Sequence, residues 1–255
     1  MAQVGLGRNP IRDILIVGES GVCLASASNE VDPQLVGGLI SAIMTVGREV
    51  LGSELESLDF RGERVYCMVN EAGICIVVIS SEELPEVLVK LLLEEVSDKI
   101  MRDYGEMLKK WDGRVDVFEE LSSYLKELIS RPFMETAFQT FILRVGLEGV
   151  VLYDLEEGDV LFSVLPSWFG SRRKLAAASM ISNFANKLSN EMGGGGVDTV
   201  IFGGERRWIV TLIRDSFCLM ALLARRGEYN IDHVVEIADI LLDFALKMVK
   251  RGEKR

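Results

Sequence analysis

Histidine is nearly absent: His233 is the only one in 255 residues. A Ser-His-Asp arrangement would have to use that residue. The pattern around it predicts the first turn of a helix, where a surface role is simpler. Cysteine is scarce as well. Cys23, Cys67, Cys75 and Cys218 form no C-x-x-C pair, and each lies in an apolar, strand-like run. Those spacings and a single histidine give a zinc site no support. The four thiols read as buried small hydrophobes in a reducing compartment. The glycine-rich stretches "GESGVC" (18–23) and "MGGGGVD" (192–198) lack the Lys-Ser/Thr of a phosphate-binding loop. Apolar runs such as "ICIVVIS" (74–80) have strand length, far short of a bilayer span. The opening "MAQVGLGRNPIRD" has no basic segment followed by an apolar core, so no secretory leader is visible and a cytoplasmic location is expected.

Positive charge is also in deficit. Lys+Arg number 28 against 39 Asp+Glu, a net −11. Nonspecific nucleic-acid binding needs the opposite balance to displace counterions. The balance suits a partner with basic patches. Only three glutamines beside many Glu and Arg lean toward a heat-adapted source. The acid pairs Glu82-Glu83, Glu94-Glu95, Glu119-Glu120 and Glu156-Glu157 fall at turns or on helix faces, where solvation explains them.

What is present is pattern. "ILIVGESGVCLASAS" (14–28) reads as a hairpin. A helix follows, capped by Asp32 with Pro33 at its first position. Val36, Leu39, Ile40, Ile43 and Met44 are predicted on one face, continued by Gly47, Val50 and Leu51. "LESLDF", "RVYCMV" and "ICIVVIS" are three strands, and a second helix is predicted from about Ser81 to Tyr104. "VFEELSSYLKELI" (117–129) reads as a connecting amphipathic helix ended by Pro132. The order then recurs. A strand pair is expected over "FILRVGLEGVVLYDLEEGDVLFSV" (141–164) and a helix over "LAAASMISNFANKLSNEM" (175–192). Three strands and a closing helix capped by Asp232 complete it.

The recurrence reaches single residues. An offset of 142 sets Phe60 on Phe202, Gly62 on Gly204, Glu63 on Glu205, Arg64 on Arg206 and Tyr66 on Trp208; 143 sets Cys75 on Cys218. The small pair Gly37-Gly38 falls near Ala176-Ala177 and would let a helix lie close to a neighbour. An internal duplication is expected. The predicted fold class is α+β: two repeats of β-β-α-β-β-β-α, each a five-stranded antiparallel sheet covered by helices. The predicted division is 1–112, a connecting helix at 113–132, and 133–255.

This element order, the "GESG" hairpin and the block "RGERVYCMVNEAGICIVV" (61–78) resemble longin and roadblock-type domains over about 14–104 and 138–250. The resemblance implies scaffolds without catalytic residues. Such domains dimerise through a helix or an edge strand and bind small GTPases, often at membranes. A tandem copy looks like a fused heterodimer.

Two stretches stand out as contact candidates. In "PSWFGSRRK" (166–174), Trp168 and Phe169 stand beside Arg172, Arg173 and Lys174 in a loop. Aromatics with arginine are enriched at interface hot spots. The simpler alternative folds the rings back over the core, and a third is contact with anionic lipid. The turn pairs Glu63/Arg64 and Glu205/Arg206 are the second candidate, against an inherited turn solution. The expected protein is non-enzymatic, without cofactor or metal. It binds a small Ras-like GTPase or another longin or roadblock protein, with peripheral membrane contact open and the oligomeric state unassigned. The alternatives are a small-molecule sensor and an enzyme with a site between the halves.

Overall fold

The computed structural model describes residues 9–28, 32–52, 56–111, 113–166, 169, 198–203, 207–224 and 230–252. The chain divides into two compact units, Arg8–Thr136 and Ala137–Arg255, the latter together with Met1–Gly7.

In the first unit, β1 (Ile11–Val17) and β2 (Cys23–Ser26) form the expected hairpin, with Gly21 at φ +82 in its turn. Helix α1 (Pro33–Val46) begins at Asp32, whose carboxylate accepts from the amides of Gln34 at 3.0 Å and Leu35 at 3.3 Å. This is the predicted cap, and it satisfies two of the helix's orphan donors. A π-helical turn, Gly47–Leu51, extends α1 and closes on Gly52 in the left-handed conformation. Strands β3 (Ser57–Phe60), β4 (Glu63–Val69) and β5 (Cys75–Ser81) follow. The sheet order is β2-β1-β5-β4-β3, antiparallel throughout. Leu15, Val17, Cys23, Cys67, Cys75 and Val77 face one side and pack with Ile40 and Met44 of α1. Gly37 makes that approach close: a Cβ there would sit 2.8 Å from the Gly21 carbonyl oxygen, whereas one on Gly38 would meet nothing.

Helix α2 runs Glu86–Leu108, so it starts later than Ser81. Ser81 still belongs to β5, its amide donating to the Pro10 carbonyl at 2.8 Å, and Pro85 sets the helix start. Helix α3 (Glu119–Ser130) buries Leu121, Leu125 and Leu128, with Phe118 just ahead of it. It packs on β1 and β2, and the Asn9 amide group donates to the carbonyls of Ile129 and Arg131 at 2.8 and 3.1 Å. The segment expected to connect two domains thus lies within the first compact unit.

Residues from Phe141 were predicted as strand; they end helix α4 (Phe133–Val145) instead. Phe133, Met134, Ala137, Phe138 and Phe141 are all buried at three- and four-residue steps, a helical period that the β-branched run after it masks. Gly146 at φ +71 ends the helix. Strands β6 (Gly149–Asp154), β7 (Val160–Val164), β8 (Thr199–Gly203), β9 (Arg207–Arg214) and β10 (Phe217–Ala224) form the order β7-β6-β10-β9-β8. The first sheet's arrangement is therefore repeated strand for strand. The closing helix α5 spans Ile231–Gly252. Its cap is Asn230, which accepts from the amide of His233 at 3.3 Å; Asp232 lies inside the first turn. The predicted helix at 175–192 lies outside the described residues.

Register corrects the residue matching. Tyr66 pairs with Ser57 and Val78; Val210 pairs with Ile201 and Ala221. The ladders therefore match Tyr66 with Val210, an offset of 144, and place Trp208 at the position of Arg64. Ser57 pairs with Tyr66 and Ile201 with Val210, so the offset of 144 holds on both strands of the hairpin. The two hairpins are equal in length, and the repeated Gly-Glu-Arg stands two positions earlier along the second.

Candidate partner-binding surface

Helix α1 carries no charged side chain from Pro33 to Gly47, in a chain of net charge −11. One face is buried through Gly37, Ile40 and Met44. The opposite face is apolar too. Leu35 is 73% exposed, Leu39 55% and Val46 57%, and Val50 on the π-helical turn is 72% exposed. Their spacing of four, seven and four residues draws a stripe along the helix. The sequence had placed Leu39 and Val50 on the inner face. Apolar residues on both sides of a helix leave its orientation unmarked, and the sheet contact is chosen by where Gly37 permits close approach. An exposed apolar stripe is the feature that marks an interaction surface on a soluble protein.

The edge strands add to it. β3 and β8 lie at matching edges of their sheets and present Phe60, and Ile201 with Phe202, as exposed side chains. An edge strand leaves one row of backbone donors and acceptors without a sheet partner.

The sequence candidates fall apart into separate roles. Glu63 and Arg64 are neighbours on β4, so their side chains leave opposite faces of the sheet. Glu63 pairs with Arg12 at 2.6 Å. Arg64 pairs with Asp59, its cross-strand partner, and its guanidinium donates to the Tyr66 hydroxyl at 3.4 Å. Phe169 is buried in the core of the second unit with Val151, Tyr153, Cys218, Met220 and Leu222. Trp168, Arg172, Arg173, Lys174, Glu205 and Arg206 lie outside the described residues.

One small cavity opens in the first unit, between α1 and the β1–β2 and β4–β5 turns. It measures about 50 Å³ and is lined by Glu19, Ser41, Met44, Thr45, Arg48 and Cys75, among others. Organic ligands occupy about 300–1,000 Å³, so this space takes waters or a single ion. Elsewhere, Asp13 is wholly buried. One carboxylate oxygen accepts from the amides of Ile14 at 2.7 Å and Ser28 at 2.9 Å; the other has no hydrogen-bond partner among the described residues. Burial pushes its pKa up to about 6. It ties down the chain leaving β2.

No family model matches the chain, and no curated protein does. Solved structures similar in part include Myxococcus xanthus MglB, 13% identical at TM-score 0.39, covering 44% of this chain and 84% of that one. The gliding protein MglB from Thermus thermophilus is 16% identical at TM-score 0.37, covering 45% and 89%. The Roadblock/LC7 domain from Streptomyces avermitilis is 16% identical at TM-score 0.37, covering 46% and 95%. Each match spans less than half of this chain. The fold itself is defined by its ladders: two α+β units, each a five-stranded antiparallel sheet of one strand order, as the sequence resemblance implied. No described helix is long and apolar enough to cross a membrane.

Proposed function

We propose that the chain is a non-enzymatic, cytoplasmic interaction scaffold built from two copies of one module, and that it binds and regulates a small Ras-like GTPase. The observation that carries this is the uncharged α1 with Leu35, Leu39, Val46 and Val50 turned to solvent. Burying such a stripe on a partner supplies about 1.5–3 kcal/mol for each large side chain taken fully out of water, before the costs of association. The acidic remainder of the surface favours encounter with a partner carrying basic patches. The resemblance of the sequence to longin and roadblock domains selects the partner class.

The test is calorimetric titration of the full chain against small Ras-like GTPases of its own source, loaded with GDP or a non-hydrolysable GTP analogue. Binding with a nucleotide preference is expected, and its loss in a folded Leu39→Asp/Val46→Asp variant. Absence of heat with every GTPase in both nucleotide states overturns the partner class. Unchanged binding by the variant overturns the assignment to α1.

A further inference from the structure

β2 and β3 border the first sheet, and their outward backbone groups meet different fates. The Ala27 amide donates to the Ile14 carbonyl at 2.9 Å, and the Gly18 amide, just past β1, donates to the Val22 carbonyl at 2.8 Å. Inward- and outward-turned residues alternate along an antiparallel ladder, so Cys23 and Ser26 turn their backbone groups away from β1. On the other border Glu56 accepts from the Cys67 amide at 2.8 Å, which leaves Ser57 and Asp59 as the outward residues of β3.

Side chains take up the outward groups of β2. Gln34, in the first turn of α1, reaches back to Cys23 with both ends of its carboxamide. Its Oε1 accepts from the Cys23 amide at 3.0 Å, and its Nε2 donates to the Cys23 carbonyl at 3.0 Å. A primary amide carries the same donor and acceptor as a peptide group, so Gln34 stands where one residue of an added strand would stand. The Ser122 hydroxyl of α3 accepts from the Ser26 amide at 3.4 Å. Gly37, one turn further along α1, permits the close approach to Gly21 that keeps the helix against this hairpin. Among the described residues no side chain bonds the backbone of Ser57 or Asp59 on β3.

Charge explains why one edge is clipped and the other is not. Residues 20–28 contain no charged side chain, in a chain of net charge −11. A second copy laid against β2 meets no like charge there. β3 carries Asp59 one turn of the pleat beyond Glu56, and its own image alongside would bring carboxylates together. The ladder irregularity at Ile16/Val17 blunts the β2 edge further, and it recurs at Leu152/Tyr153 beside the matching edge of the second unit.

We propose that Gln34 guards the β2 edge: its carboxamide fills the row on which β2 of a second copy of this chain would otherwise add antiparallel. The occupant excluded is a second copy, because a short uncharged strand meets its own image about a two-fold axis with the same donors and acceptors exchanged on both sides. Gln34 turns to β2 while Leu39, Val46 and Val50 turn to solvent, so the guard operates whatever α1 binds.

The experiment uses the reduced full chain. By hydrogen exchange in the wild-type protein, the Cys23 amide is expected to exchange at least about 10-fold more slowly than the Ser57 and Asp59 amides. By sedimentation velocity, Gln34→Ala is expected to self-associate about 10-fold more tightly than wild type, since an incoming strand no longer has to displace two hydrogen bonds. Ser26→Pro removes an outward N–H from the same edge, a change that edge strands tolerate, so Gln34→Ala/Ser26→Pro is expected to return to wild-type behaviour. Exchange at Cys23 as fast as at Ser57 and Asp59 overturns the guard, and that reading needs no variant to fold. Unchanged association by folded Gln34→Ala overturns it too. Tighter association that persists in the folded double variant belongs to another surface and overturns it as well.

Discussion

The two units share a strand order and differ in how each fills the same positions. In the first, the row through β4 and β5 buries Cys67 against Val77; in the second, the matching row buries Thr211 against Met220. A thiol is a small hydrophobe and is content there. The Thr211 hydroxyl is wholly buried and finds no hydrogen-bond partner among the described residues. At the end of the first strand the contrast reverses. Ladder matching sets Leu15 on Val151, so Asp13 corresponds to Gly149: a buried carboxylate in one unit, a bare backbone in the other. One topology therefore admits polar and apolar solutions at one site. What it holds constant is the ladder and the close approach of neighbouring segments.

Close approach is where the comparison breaks most easily. A Cβ on Gly37 would lie 2.8 Å from the Gly21 oxygen, and one on Gly149 would lie 2.6 Å from the Val164 oxygen. Both obstacles are backbone and cannot rotate away. Gly37→Ala and Gly149→Ala are each expected to destabilise by about 1–3 kcal/mol in chemical denaturation. Gly38→Ala, one residue along α1 with open space around it, is expected to stabilise by up to about 1 kcal/mol through helix propensity. Equal effects at Gly37 and Gly38 would mean that α1 does not rest on the β1–β2 turn.

Asp13 sharpens the comparison by pH. Its folded-state pKa, about 6, exceeds the ordinary value of 3.8 because burial penalises the carboxylate. The protonated form is favoured by folding. Its contribution to stability is fully present below about pH 4 and is lost as pH rises through 6. Asp13→Asn is expected to flatten the pH 4–7 stability profile relative to wild type, by about 1–3 kcal/mol across that window. Parallel profiles for the two proteins would place the titration elsewhere.

Much of this fold was legible because its signals were local. The "GESG" turn, the Asp32 cap and the alternation of apolar runs gave ten strands and the repeated order. The misses have physical causes. Phe141 to Val145 reads as strand by composition and is helix by the burial of Phe138 and Phe141 on one face. Matching by identity aligned "FRGER" with "FGGER", but the ladders run at an offset of 144 on both strands of the hairpin, so the second motif stands two positions earlier in its hairpin than the first. The candidate surface was the least legible element. Leu39 and Val50 carry the same chemistry as Ile40 and Met44, and only packing shows which of them the sheet covers.

Thr211→Val keeps the shape of the side chain and removes the unpartnered hydroxyl. It is expected to raise stability by about 1 kcal/mol, read as a higher thermal midpoint with an unchanged denaturant slope. The reciprocal change, Cys67→Thr, is expected to cost a similar amount, since it installs the second unit's difficulty in the first. A loss on Thr211→Val would mean that the hydroxyl has a partner in the folded protein, and the two cores would then differ in hydrogen bonding and not merely in polarity.

The smallest effect is expected where the sequence first drew attention. Glu63 pairs with Arg12 at 2.6 Å, but the two side chains remain 38% and 43% exposed. Solvent screens such a pair, and holding two long side chains in one geometry costs entropy. A double-mutant cycle on Arg12→Ala and Glu63→Ala is expected to give a coupling of about 0.2–1 kcal/mol that shrinks as salt is added. The pair spans β5 to tie β1 to β4, so it reinforces a sheet already held by backbone hydrogen bonds on both sides of β5. A coupling well above 1 kcal/mol, or one insensitive to salt, would show that the Glu-Arg turn is a structural clamp. The repeated "GER" would then mark a stabilising device, and the contact surface would be left to α1 alone.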